Sequence, residues 1–306
     1  ETLATLKSEH PPAASDRRKV CCPTSSERFE AIQVLNSTVS QSIRSFPAGS
    51  SGGPDGVTPQ HLKDLTASGL NDQLLDAVTN FVNMLLNGGL PESVSQILYG
   101  GRLLALKKKD GGIRPIAVGY TWRRLAAKCA NAYVVGRMSQ ALEPLQLGVG
   151  VPGGAEAAIH ATRRYLLTMP DNHVIVKQDF SNAFNTLRRD SMLEAVARDL
   201  PELYSFVHAY TIDPILQYGS ETILSQEGPQ QGDPLGPLEF CLTIHPLLKK
   251  LKSDLRIGFL DDLTLGGYDG VVACDVDLID VEAAALGLKL NKSKCELICK
   301  NNRSTT

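Results

Sequence analysis

The sequence predicts an α+β fold: an antiparallel βαββαβ-like sheet backed by helices, joined to a second region of mixed structure. Three patterns predict it. The run from Arg256 to Gly266 places Phe259-Leu260 and Leu263-Thr264-Leu265 around Asp261 and Asp262, two apolar strands with a polar tip. His173-Val174-Ile175-Val176-Lys177-Gln178-Asp179-Phe180 is short, β-branched and ends in an acid, the pattern of a buried strand. Between Arg102 and Val118, Asp110-Gly111-Gly112 separates two apolar runs, a strong hairpin signal.

The remaining elements follow in order. Residues 1–50 form an N-terminal arm with Pro11-Pro12, Cys21-Cys22-Pro23 and a helix expected from Glu27 to Phe46. Ser50 to Gly56 is a turn, after which Thr58 as N-cap and Pro59 at the first helical position start a helix through Leu65. A helix from Asn71 to Leu86 ends at Asn87-Gly88-Gly89. The hairpin that follows brings Lys108 and Arg114 near one another across the ladder, where a guanidinium fork and an ammonium suit a triphosphate. Trp122 to Leu142 is amphipathic, a helix whose basic residues are expected to face nucleic acid. Gly148 to Gly153 fits G-x-G-x-x-G by letter, but no strand precedes it, so a dinucleotide fingerprint is rejected. Helices are expected from Ala155 to Leu167 and, after the turn at Ser181–Thr186, along Leu187, Met192, Leu193 and Val196.

Adjacent carboxylates repel, and crowding Asp261 beside Asp262 on a rigid hairpin is unfavourable without a cation. Hard ions such as Mg²⁺ take carboxylate oxygens and remove that penalty. Asp179, at the end of the other buried strand, supplies a third carboxylate. Such a set can hold two metal ions that clamp an in-line phosphoryl displacement. Neighbouring strand residues point to opposite faces, so one member of the pair faces Asp179 directly; Asp261 is taken as that residue and Asp262 as its support.

Composition narrows the classes. The 306 residues are 42% apolar, enough for one large or two closely packed domains. No apolar run reaches membrane-spanning length and the N-terminus lacks a signal pattern, so an intracellular setting, nuclear or cytoplasmic, is expected with no membrane partner. Seven cysteines without C-x₂-C spacing argue against a zinc site or a disulfide framework. The net charge of −2 conceals a division. Residues 99–139 carry nine basic side chains against Asp110, whereas residues 254–282 carry eight acidic ones against Arg256. A basic region facing phosphates and an acidic one holding metals account for that clustering.

Several motifs together carry a family resemblance. Asp179-Phe180-Ser181-Asn182-Ala183-Phe184 resembles the first palm motif of reverse transcriptases, most similar to those of non-LTR retrotransposons. Gln231-Gly232-Asp233-Pro234-Leu235-Gly236-Pro237-Leu238 resembles the second, usually written QGDPLSP, and Phe259-Leu260-Asp261-Asp262 the aromatic-x-Asp-Asp motif. Leu286 to Lys294 resembles the fourth, in which a lysine follows Leu290-Asn291. Leu106 to Lys109 and Arg114-Pro115-Ile116 resemble the fingers motif, which the Gly53-Pro54-Asp55-Gly56 turn would open.

The resemblance implies right-hand polymerase fingers and palm: arm 1–50, fingers 51–171 and palm 172–306, with about 187–225 returning to the fingers, and no thumb before the chain stops at Thr306. It implies RNA-directed DNA synthesis, with RNA template, primer strand and dNTPs as partners and two Mg²⁺ ions, or Mn²⁺ as a substitute, as cofactors. Asp179, Asp261, Asp262 and the Phe180 carbonyl are then the metal ligands. Lys108, Arg114, Phe184, Gln231 and Gly232 are the dNTP-binding residues, with Phe184 under the sugar excluding a 2′-hydroxyl, and Lys294 is the candidate proton donor to pyrophosphate. The parent would be a longer element-encoded protein with a thumb and an endonuclease. Viral RNA-dependent RNA polymerases, the rival enzyme reading, carry an acid near the Phe184 position and usually glycine before Asp-Asp; this chain has Leu260 there. Asn185 and Gly236 depart from the family's usual aspartate and serine without removing a metal ligand. The rival from another class is a catalytically incompetent fragment or domesticated RNA-binding domain, and a nuclease is more distant for want of a histidine or glutamate cluster.

Overall fold

The computed structural model describes residues 1–21, 31–67, 71–109 and 111–300. The chain forms two compact units, Glu1–Val134 with Arg189–Gly236, and Val135–Arg188 with Pro237–Thr306. Among the described residues no helix is long and apolar enough to cross a membrane.

The first unit is built on a sheet of order β2-β1-β4-β5. β1 (Gly101–Lys107) and β2 (Ile113–Gly119) pair antiparallel from Gly101↔Gly119 to Lys107↔Ile113; Asp110 of their turn lies outside the described residues. β4 (Ile215–Tyr218) runs parallel to β1 and antiparallel to β5 (Glu221–Leu224). The core under it contains Leu103, Ala117, Leu216 and Ile223, and is closed by Leu6 of α1 (Thr2–Ser8). The N-terminal arm is thus part of this core. Beyond α1 the Ala14 N–H donates to Glu227 at 2.8 Å, and Arg18 pairs with the buried Asp190 at 3.2 Å.

The helix expected over Glu27–Phe46 is shorter. α2 covers Asn36–Arg44, and Glu27 to Glu30 lie outside the described residues. Ile32 and Val34 are instead outside any helix and buried, because side chains in the last turn of α4 (Asn71–Leu86) and just beyond it satisfy their backbone. The Val34 N–H donates to Asn83 Oδ1 at 2.8 Å, and the Asn83 and Asn87 amides donate to the Val34 and Ile32 carbonyls at 3.1 and 2.9 Å. With hydrogen bonds offered from outside, the segment has no need of a helix's own. α3 (Pro59–Ala67) starts as expected, its His61 N–H donating to the Thr58 hydroxyl at 3.4 Å.

After the short α5 (Glu92–Leu98), α6 spans Thr121–Leu142 but does not turn all its basic residues outward. Arg123 is fully buried, ion-paired with Asp233 at 2.5 Å and lying over the Tyr99 and Tyr210 rings. Arg124 and Lys128 lie over the Phe46 ring. The expectation that this helix's cations face nucleic acid is corrected for Arg123: a charge of 0% exposure needs an internal partner, and Asp233 provides it.

The second unit carries an antiparallel sheet of order β6-β7-β3-β8, formed by β3 (His173–Gln178), β6 (Leu255–Phe259), β7 (Asp262–Tyr268) and β8 (Glu296–Cys299). With α11 (Gly236–Lys250) and α12 (Asp269–Ala285) the connectivity is β3–α11–β6–β7–α12–β8, a βαββαβ order. Residues 135–171 count with this unit. In α7 (Gly154–Thr168), Tyr165 meets Gly266 so closely that a Cβ there would lie 2.8 Å from its ring. The helix expected through Leu187 is split into α8 (Ala183–Thr186) and α9 (Arg189–Asp199), because Leu187 turns extended and the Arg188 N–H donates to the Leu286 carbonyl at 2.8 Å.

Candidate active site and family

The register of the second sheet positions the carboxylates. Lys177 pairs with Thr264 and Gln178 with Leu263, so the next step sets Asp179 opposite Asp262. Partners across an antiparallel ladder share a face. Asp179 and Asp262 accordingly line one cavity of roughly 270 Å³, together with Lys177, Lys294 and Glu296. Glu296 enters through β8, where it pairs with Lys177.

Two of these neighbours were not legible as site residues in the sequence, since Lys177 and Glu296 belong to no motif. Strand periodicity is the signal that could have found Lys177, two residues before Asp179 and on its face. Its ammonium stands 3.9 Å from Asp262, a half-exposed pair that contributes little to stability.

Lys294 is brought to the cavity by backbone pairing. The Asn291 N–H donates to the Asp179 carbonyl at 2.8 Å, the Ser181 N–H to the Lys289 carbonyl at 2.9 Å, and Phe180 bridges Leu290. The Asn291 amide also reaches the Asp179 carboxylate at 3.5 Å. The fourth palm-like motif is therefore strapped directly to the end of the first.

Asp261 is placed differently. Phe259 pairs with Asp262, leaving Leu260 and Asp261 as a two-residue turn. Turn residues do not follow strand alternation, so the alternation argument does not fix where Asp261 points; Asp262 is the member that lines the cavity with Asp179. Behind the turn lies Cys241 of α11, whose buried thiol has its pKa pushed up, first by burial and then by the Asp261 charge; a hydrogen bond with the Leu260 backbone offsets part of this. Among the described residues no three His, Cys, Asp or Glu side chains form a metal-holding group. The facing pair Asp179 and Asp262 nonetheless offers the hard oxygen donors that Mg²⁺ or Mn²⁺ takes.

Phe184, on α8, is half-buried and stacks on Phe240 of α11, ring centroids 5.0 Å apart and planes 16° from parallel. Phe180 is buried.

The first unit holds the other expected residues. Arg114 pairs with Leu106 in the β1–β2 ladder, and the Lys108 N–H donates to the Gly112 carbonyl at 2.7 Å, which continues the pairing. Lys108 and Arg114 thus occupy diagonal positions on one face, while Lys107, paired with Ile113, belongs to the other. Gln231 and Gly232 lie along β2. The Ala117 N–H donates to the Gln231 carbonyl at 2.8 Å, and Gly232 has φ +112° with room for no side chain, since a Cβ would sit 2.6 Å from the Ala117 carbonyl. Asp233, next in the motif, carries the ion pair to Arg123 and accepts from the Leu235 N–H at 3.0 Å.

Comparisons with known proteins bear on the family and the fold. Residues 106–305 match the family model described as reverse transcriptase (RNA-dependent DNA polymerase). The chain is 29% identical over 271 residues to the retrotransposable element SLACS 132 kDa protein of Trypanosoma brucei gambiense, covering 83% of this chain and 22% of that protein. It is 26% identical over 275 residues to the retrovirus-related Pol polyprotein from type-2 retrotransposable element R2DM of Drosophila melanogaster, covering 80% of this chain and 24% of that protein. The chain spans less than a quarter of the length of these relatives. Among solved structures, apo telomerase from Candida tropicalis, truncated from its C-terminal domain, superposes with a TM-score of 0.52 at 14% identity, over 68% of this chain and 51% of that one. That likeness concerns the fold and fits fingers and palm of a polymerase. The family model covers well over half of the sequence, and the chain belongs to the reverse transcriptase (RNA-dependent DNA polymerase) family.

Proposed function

We propose that this chain is an RNA-directed DNA polymerase domain that adds deoxynucleotides to a primer 3′-hydroxyl on an RNA template. The observation that carries the reading is that Asp179, just past the end of β3, and Asp262, at the start of β7, line one cavity with Lys294. Asp179, Asp261, Asp262 and the Phe180 carbonyl are the groups to hold two Mg²⁺ or Mn²⁺ ions, which when bound neutralise charge at the transferred phosphate. Lys294 stands beside the carboxylates as proton donor to the leaving pyrophosphate. Phe184, held by its stack on Phe240, excludes a 2′-hydroxyl. On the first unit, Lys108 and Arg114 supply cations for a triphosphate, and Gln231 and Gly232 offer closely approachable backbone. The relatives are several times longer retrotransposable-element proteins, and we take this chain to act within such a protein, beside a thumb and an endonuclease.

The test is primer extension on an RNA template with Mg²⁺ and dNTPs, comparing wild type with Asp179→Asn and Asp262→Asn. Each substitution is expected to lower turnover by about a thousandfold while leaving the thermal midpoint unchanged or raised, since a repelling carboxylate is removed. Absence of extension by the wild type, also within the longer protein, would sink the enzymatic reading and leave RNA binding without turnover.

A further inference from the structure

Leu260 has φ +58°, in the left-handed region where a side chain with a Cβ is strained. The other described non-glycine residues with positive φ are Asn182 and Asp213, types that tolerate it. Leu260 immediately precedes Asp261 and Asp262, so its backbone sets the directions in which both carboxylates leave the turn.

One side chain from a segment more than a hundred residues away holds that backbone on both sides. Gln146 is fully buried. Its Oε1 accepts from the Leu260 N–H at 2.9 Å and from the Gly148 N–H at 3.3 Å, while its Nε2 donates to the Leu260 carbonyl at 3.2 Å. The segment carrying it is braced on β6: the Leu147 N–H donates to the Gly258 carbonyl at 2.8 Å, and the Gly258 N–H to the Leu145 carbonyl at 2.7 Å. Two glycines make the fit possible. A Cβ on Gly258 would lie 2.8 Å from Gln146 Nε2, and one on Gly148 would lie 2.8 Å from the Leu260 nitrogen. An apolar residue of the same size could fill the volume of Gln146. It could not satisfy both polar groups of the one strained residue.

We propose that Gln146 is a positioning residue for the polymerase reaction, its carboxamide holding Leu260 in the left-handed conformation that aims the Asp261-Asp262 turn. The kinetic part rests on the function proposed above; the clasp itself does not. Four proteins test both: wild type, Gln146→Leu, Leu260→Gly and the double variant, each measured by primer extension and by thermal unfolding. Gln146→Leu is expected to lower kcat about tenfold or more, with a smaller change in KM for the dNTP. Glycine adopts this φ without strain, so adding Leu260→Gly should recover most of the loss in kcat, and the double variant should melt no lower than Gln146→Leu alone. Additive losses in both measurements would overturn the proposal. A wild type that extends no primer removes the polymerase reading, and the thermal cycle then decides the clasp by itself. Should Gln146→Leu fail to fold, Gln146→Glu takes its place in the cycle; it keeps the acceptor for the Leu260 N–H, loses the donor, and is expected to fall between wild type and a full loss.

Discussion

Among the described residues the two units of this chain bury different charges: arginines together with carboxylates in the first, carboxylates without an arginine in the second. The first carries the basic run that starts at Arg102, yet its most central cations are consumed internally: Arg123 is buried against Asp233, and the buried Arg189 donates to the carbonyls of Tyr210, Ser225 and Gly228. The second carries the acidic run of residues 254–282 and divides its carboxylates. Asp275 is buried and accepts from the Ser253 N–H and hydroxyl at 2.7 and 2.6 Å, whereas Asp179 and Asp262 are left to line a cavity. Residues that look equivalent in a charge count are therefore structural in one place and available for chemistry in another. Burial decides which, because a charge taken out of water must find its partner inside.

Breaking the internal pair should give the largest effect on stability. Arg123→Met leaves Asp233 buried and unpaired, a loss of about 3–5 kcal/mol that should lower the thermal midpoint by roughly 10 °C. Lys177→Met, which removes one half of an exposed pair, should move it by no more than about 2 °C. Equal shifts in a melting experiment would erase the contrast between the units.

A specificity change comes next. Replacing Phe184 by Ala removes the ring stacked on Phe240 and should raise rNTP incorporation relative to dNTP by about tenfold or more. Unchanged sugar selectivity in competing-nucleotide extension would leave the residue a packing role alone.

The smallest effect concerns the thiol behind the turn. Burial raises the Cys241 pKa, so the folded state keeps a proton that the unfolded chain loses above about pH 8.5. The contribution to stability is full below that pH and declines as pH rises beyond it. Alkylation at pH 8 should therefore label the exposed Cys21 and Cys274 quickly and Cys241 only on unfolding. Rapid labelling of Cys241 in the native protein would contradict its burial.

Much of this was legible in sequence where local chemistry repeats itself. Helix α4 keeps the bounds that its apolar period and Asn-Gly-Gly ending predict, and the hairpins around Asp110 and around Asp261-Asp262 lie where their turns predict. The site was legible as a set of carboxylates and a lysine. That Asp261 falls in the turn and Asp262 on the strand was not, because it depends on where the β6–β7 ladder ends. Arg123 looked like the half-buried Arg124 beside it, since nothing in its own helix names Asp233, which lies 110 positions further along the chain.

The sequence by itself determined the element types, the family and the chemical inventory: three aspartates, the lysine after Leu290-Asn291 and the glycines that turns demand. Tertiary structure alone decided that Asp179 and Asp262 line one cavity, which arginine is withdrawn from solvent, and that Gln146 clasps Leu260. The physical reason is common to all three. Register, burial and a backbone clasp are properties of segments far apart in the chain, and they exist only once those segments pair.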